Sequence, residues 1–171
     1  MPGTDVSQSR YPQRDRNAEG RAENARPRDR FGRPLARGRA DEMPERVEPA
    51  EVVDGLPEAL AAAARLFDAE RFFEAHEFLE YIWKSDLVDD ADRDFWKGVT
   101  QVAVGCCHTQ RGNDSGAVTL LERATRYMAP YPPVYGGVAA GVLAQGALDV
   151  VSQIHAEGAS PQLRFPRFPL A

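Results

Sequence analysis

Residues 76–80, HEFLE, place a histidine and two carboxylates within little more than one helical turn. Positions four apart share a helix face, so His76 and Glu80 meet. A zinc-protease helix has a second histidine where Glu80 stands, with the central glutamate as general base. The exchange leaves a His–carboxylate pair, to which His108 can add a third ligand. Three protein ligands plus water make an open catalytic zinc site, so His76, Glu80 and His108 are the candidate ligands of a divalent metal. Glu74 and His76 are two apart rather than three, which excludes the Glu-x-x-His pair of di-iron bundles. The plainer reading puts His76 on an apolar face, hydrogen-bonded to a carboxylate or to Gln101, as buried polar groups must be.

A metal-free pocket is the intermediate reading. His76, Glu80, Trp83, Gln101, His108 and Arg111 are its candidates. A histidine beside a glutamate is an acid–base pair, and Trp83 either stacks a planar ligand or belongs to the core. Arg111-Gly112-Asn113 reads as a turn from which Arg111 reaches an anion. The two cysteines, Cys106 and Cys107, are adjacent, and a disulfide between neighbours is strained. They read as small buried hydrophobes, because a reactive thiolate needs an accessible, electropositive site. Nothing in them points to an oxidising compartment.

These residues require helices to position them. Leu56, Leu60, Ala63 and Phe67 form one apolar stripe, with Asp54-Gly55 as cap and Pro57 in the first turn, where a missing N–H costs little. The chain turns near Ala69-Glu70-Arg71. A second helix runs from about Phe72 to Lys84, with Phe72, Ala75, Leu79, Ile82 and Trp83 on one face and His76 inside that arc. The linker SDLVDDADRD is rich enough in Asp to start a third helix reaching about Gln110. Its Phe95, Val99, Val102 and Cys106 share a face, and further apolar residues make it the central helix of a bundle. Gly98 and Gly105, seven apart, invite close approach by a neighbour. A fourth helix spans about Ser115 to Met128, burying Ala117, Leu120, Leu121, Ala124 and Met128. A fifth, from about Val138 to Ala156, turns Val142, Leu143, Val150 and Ile154 to one side. The ending SPQLRFPRFPLA is extended and lays Phe165 and Phe168 on the bundle. No strand pattern competes, so the fold class is all-α: a compact bundle of about five helices.

The charge divides along the chain. Residues 1–50 hold 11 Arg, no Lys and 9 acids, a net of +2, whereas residues 51–171 carry a net of −7. An acidic domain does not hold nucleic acid by itself, because phosphate binding needs a cationic surface. The three-part division is a disordered Arg-rich tail over 1–50, a helical domain over 51–158 and the extended segment 159–171. The tail has too few aliphatics to offset its ordering entropy. Within it, RPRDRFGRPLARGR (26–39) is the densest basic patch and the one segment suited to nucleic acid or an acidic partner. Alternatively Phe31 and Leu35 dock on the chain's own acidic domain. No apolar run approaches the length of a membrane helix and the N-terminus lacks a signal-peptide core, so the expected location is cytoplasmic.

FFEAHEFLEYIW (72–83) and GVTQVAVGCCHTQRGNDSGAVTLLERA (98–124) resemble the bacterial and archaeal domain of unknown function 309 family. The carriers are Phe73, Glu74, Ala75, His76, Glu77, Glu80 and Trp83, then Gly98, Gln101, His108, Arg111, Gly112, Asn113, Gly116, Ala117, Leu120 and Leu121. The resemblance covers about residues 56–129 and implies a compact helical bundle. It implies no activity.

The small-residue hairpins Phe67…Ala75…Leu79 and Gly112…Ala117…Leu121 also resemble tetratricopeptide-like packing, whose grooves bind peptides. Two hairpins are fewer than a solenoid needs. With no complete catalytic motif, the favoured function is a non-catalytic module binding a protein or small ligand through the His/Glu/Trp/Gln cluster. The alternatives are a metal-dependent or acid–base hydrolase using His76, Glu80 and His108, and a nucleic-acid-associated protein acting through its tail.

Overall fold

The computed structural model describes residues 28–33 and 47–171. Six α-helices carry these residues: α1 (Pro49–Val52), α2 (Leu56–Asp68), α3 (Phe72–Lys84), α4 (Arg93–Gln110), α5 (Asp114–Met128) and α6 (Ala140–Glu157). Among them there are isolated β-bridges but no strand. From α2 to α6 each helix packs on the next, and α4 also meets α6. α4 is the central helix, as its wide apolar coverage predicts. Phe95, Trp96, Val99, Val102, Ala103 and Cys106 on it are all at most 1% exposed.

The hairpins are short because their turns carry specific caps. After α2, Glu70 takes a left-handed φ of 58°. Glu70 N–H then donates to Phe67 O and Arg71 N–H to Leu66 O, which satisfies carbonyls left open at the helix end. After α4, Gly112 supplies the left-handed residue at φ 74°. Asn113 then caps α5, its side chain accepting from Gly116 N–H. The acidic linker forms a 3-10 turn over Asp90–Asp92 before α4 starts, and Asp92 at the N-cap makes no side-chain cap bond.

α4 and α5 pack backbone to backbone. A Cβ on Gly105 would lie 2.6 Å from Leu121 Cγ, and one on Gly98 2.8 Å from Tyr127 Cβ. Both glycines are there because a side chain would push the helices apart.

The last helix departs from expectation. It begins at Ala140, because Tyr135 and Val138 close a turn through Gly136 and Gly137, both at positive φ. Val142 is 63% exposed, whereas Leu143, Ala147, Val150, Val151 and Ile154 point inward. So many α6 positions are small or apolar that periodicity alone does not select the buried face. Leu120 on α5 is only half-buried.

The C-terminal segment is a strap. Phe168 packs edge-on against Phe67 with ring centroids 5.5 Å apart, and Phe165 lies 4.9 Å from Phe72. Asp68 fixes it by accepting from Phe168 N–H at 2.6 Å and pairing with Arg167 at 3.0 Å. The strap ends at Ala171, whose N–H donates to Gly137 O.

Most of the Arg-rich tail, Leu35 included, lies outside the described residues. Of the described residues within 1–50, Pro49 and Ala50 begin α1, and Arg28–Arg33 contacts α3 and α4. Contact with the bundle supplies the ordering that the segment's own composition does not. No helix among the described residues is long and apolar enough to cross a membrane.

Candidate functional site

α3 and α4 run antiparallel. Glu70 O accepts from Gln110 Nε2 at one end, and Trp83 meets Lys97 at the other. Both pairs of residue numbers add to 180, so His76 lies level with Val104, Leu79 with Gln101 and Phe72 with His108. At 3.6 residues per turn, Lys97, Gln101, Val104, His108 and Arg111 form one stripe of α4. His76, Glu80 and Trp83 form the facing stripe of α3. All eight are half-buried, so their polar ends line an open seam above the apolar contact between the helices.

On the α3 side, His76 Nδ1 donates to the Phe73 carbonyl. This aims Nε2 at Glu80, whose Oε2 is 3.4 Å away. Glu80 also pairs with Lys84. Contact with His76, then Lys84, holds the Glu80 carboxyl down at about 2, although partial burial opposes that shift.

Trp83 is partly buried, packed on the core rather than within it. The chain has only two lysines, and both approach its ring, Lys84 Nζ at 5.3 Å and Lys97 Nζ at 5.9 Å from the centroid. Lys97 also lies 5.1 Å from the Tyr127 ring. Ammonium groups over aromatic faces are attracted by the ring quadrupole.

On α4, the Asn113 amide donates to His108 Nδ1 at 2.9 Å. Burial, and then the nearby Arg111 charge, push the His108 pKa down and favour the neutral ring. Gln101 Oε1 is buried and has no hydrogen-bond partner among the described residues.

His108 and His76 are one turn out of register, about 6 Å along the helix axes. Among the described residues no three His, Cys, Asp or Glu side chains gather as a metal-binding group. His76 and Glu80 form a pair, and His108 is turned to Asn113. Cys106 and Cys107 are buried free thiols, both with raised pKa, chiefly through burial. For Cys107 the Arg111 guanidinium opposes that rise.

The far end of the seam is occupied. Arg111 Nε donates to the Phe31 carbonyl at 2.7 Å, and Cys107 Sγ approaches the same oxygen at 3.1 Å. Gly32 is buried beneath Phe73 and Arg111: a Cβ there would lie 2.2 Å from Phe73 Cδ2 and 2.5 Å from Arg111 Nη2. Asp29 shapes the segment, its Oδ1 accepting from Phe31 N–H and Arg33 N–H, both at 2.9 Å. Arg28 closes the turn by donating to Gly32 O at 2.6 Å. Arg30 and Arg33 sit over the Phe31 ring at 4.8 and 5.4 Å.

Sequence reasoning did not select Phe73, Lys97, Cys107 or Gly32. The lysines carried a signal, being two among 21 basic residues. Phe31 was expected as a hydrophobic anchor, and it docks instead through its carbonyl. A cavity of about 790 Å³ lies elsewhere, between α1, α2 and α3, with Val53, Ala62, Leu66 and Phe78 on its lining and Arg65, Arg71, Glu74 and Glu77 beside them. None of the six pocket candidates lines it.

Residues 60–120 match the family model described as Domain of unknown function (DUF309). A 63-residue stretch is 40% identical to Uncharacterized protein YpuF of Bacillus subtilis (strain 168), covering 36% of each chain. The match thus spans little more than a third of that relative's length. The family segment contains every candidate seam residue from His76 to Arg111, but neither the docked Arg28–Arg33 turn nor the C-terminal strap. From within α2 to within α5, the chain is thus similar to the domain of unknown function 309 family.

Proposed function

We propose that this domain is a non-catalytic binding module and that the α3–α4 seam receives a peptide segment of a partner protein. One observation carries the reading: Arg111 and Cys107 hold a main-chain carbonyl from a residue about 80 positions away, so this end of the seam accommodates peptide backbone. Along the remaining stripe, Gln101 has an acceptor without a partner among the described residues, and Lys97 an ammonium over two rings. From Arg111 to Lys97 the stripe is about 21 Å long at 1.5 Å per residue. That is room for about six residues of extended peptide. The His76–Glu80 pair serves as one polar wall. The two buried thiols suit a reducing, cytoplasmic setting.

The test is an NMR titration of the full-length protein with peptides fished from a displayed library. Shifts confined to Trp83, Gln101, His108 and Arg111, and lost in Arg111→Ala, are the expected result. Elemental analysis of wild type beside His76→Ala addresses the hydrolase alternative. Stoichiometric metal that disappears in the variant would replace the binding reading with a catalytic one.

A further inference from the structure

We propose that the Arg28–Arg33 turn is a built-in ligand of the seam, and that the module's partner displaces it with a loop of the same chemistry: an aspartate-capped turn presenting a free carbonyl followed by a buried, left-handed glycine. This rests on the peptide-binding reading and adds to it the partner's chemistry and the way access is controlled.

The turn has the features of a ligand rather than of a piece of core. Asp29 and Arg28 preorganise it by hydrogen bonds within the segment itself. Preorganisation reduces the ordering cost of docking. What it offers the bundle is main chain: the Phe31 carbonyl to Arg111 Nε and Cys107 Sγ, and the bare Cα of Gly32 to Phe73. Gly32 has φ +73°, a conformation strained for any L side chain, in a place where a Cβ would also collide. Recognition therefore reads the shape Asp-x-Phe-Gly, and another protein can present that shape.

The turn also belongs to the same chain, 13 residues (34–46) before Val47. Ligands joined by a short tether reach effective concentrations of about 1 mM. Against a peptide Kd of order 0.1 mM, such a tether leaves the seam mostly self-occupied and weakens any competitor about ten-fold. The contact also reaches the polar wall, because Phe73, which covers Gly32, lies tilted against His76 with ring centroids 4.9 Å apart.

The experiment uses the full chain and a fluorescent peptide with the sequence of residues 26–39. Gly32→Val ejects the turn without altering a seam residue, and Asp29→Ala loosens it by a second route. We expect the peptide to bind both variants about ten-fold more tightly than wild type. The gain should vanish when Arg111→Ala is added, or when the peptide itself carries valine at its Phe-Gly glycine. Trypsin should cut the variants after Arg30 faster than wild type, while circular dichroism shows the helices unchanged. Equal, Arg111-dependent binding to all three proteins would overturn self-occlusion and leave the peptide seam standing. Absence of binding to every variant would overturn both. Wild type that sediments as a dimer, reverting to monomer in Gly32→Val, would overturn the intramolecular assignment in favour of exchange of the turn between two copies.

Discussion

α4 has two sides, and they are built in opposite ways. Toward α5 it presents Gly98 and Gly105, and the helices approach until a Cβ would overlap Tyr127 or Leu121. Toward the solvent edge of α3 it presents Lys97, Gln101, His108 and Arg111, none fully buried. The first side gains from dispersion and burial, which need fit and no particular partner. The second keeps donors and acceptors at a half-wet edge, where each is useful only if something meets it. One helix thus separates the stability of the fold from the surface proposed for recognition, and substitutions should show that separation.

The largest effect should come from the glycine seam. Gly105→Val forces a side chain into Leu121 and should cost about 3 kcal/mol, as overpacking of a close helix contact does. Urea unfolding at unchanged m-value measures it. A loss below about 1 kcal/mol would mean that α5 yields easily, and the contrast between the two sides would collapse.

Gln101→Met should move stability the other way. The Gln101 Oε1 acceptor is buried without a partner among the described residues, and removing such a group relieves a desolvation cost of about 1–3 kcal/mol. We expect a gain of about 1.5 kcal/mol in the isolated protein, together with weaker peptide binding. A loss of stability would show that the amide oxygen already serves the fold.

The difference between the two sides also explains what the sequence revealed. Apolar periodicity located the helices to within a few residues, and the seven-residue spacing of Gly98 and Gly105 announced a close contact, because both signals arise from burial. The six seam candidates were legible as types, since His76, Glu80 and Trp83 fall at helical spacing. Sequence also suggested one cleft for them, but not how the helices align, because the relative register of α3 and α4 is set by packing and by the Gln110–Glu70 bond, forty residues apart in sequence. The docked turn was the least legible. It binds through a carbonyl and through the missing side chain of Gly32, and neither leaves a trace in hydropathy or charge. The inward face of α6 was misread at Val142 for the opposite reason: too many apolar positions competed.

Asn113→Ala sharpens the comparison at the end of the seam. The side chain caps α5 through Gly116 N–H and donates to His108 Nδ1. Loss of the cap should cost about 1 kcal/mol. The same change frees Nδ1 to take a proton, so the His108 pKa should rise from its lowered position. A ring-proton NMR titration beside urea unfolding separates the two effects. An unmoved His108 would show that burial and Arg111 alone govern it.

The smallest effect belongs to Glu80, and its pH dependence identifies it. The carboxyl titrates at about 2 in the fold against an ordinary 4.5, held down first by His76 and then by Lys84. The folded state therefore binds its proton less readily than the unfolded chain does. The resulting stabilisation is complete above pH 4.5 and fades as the pH falls toward 2. The side chain is 35% exposed, so solvent screens the pair and the contribution should stay below about 1 kcal/mol. Glu80→Gln should be slightly less stable than wild type at pH 6, and the gap should close by pH 2 and narrow in high salt. The binding face would then tolerate a change that the glycine seam does not. A gap larger than that of Gly105→Val, or one that persists at pH 2, would mean that Glu80 supports the fold through contacts independent of its charge, and the division of labour across α4 would fail.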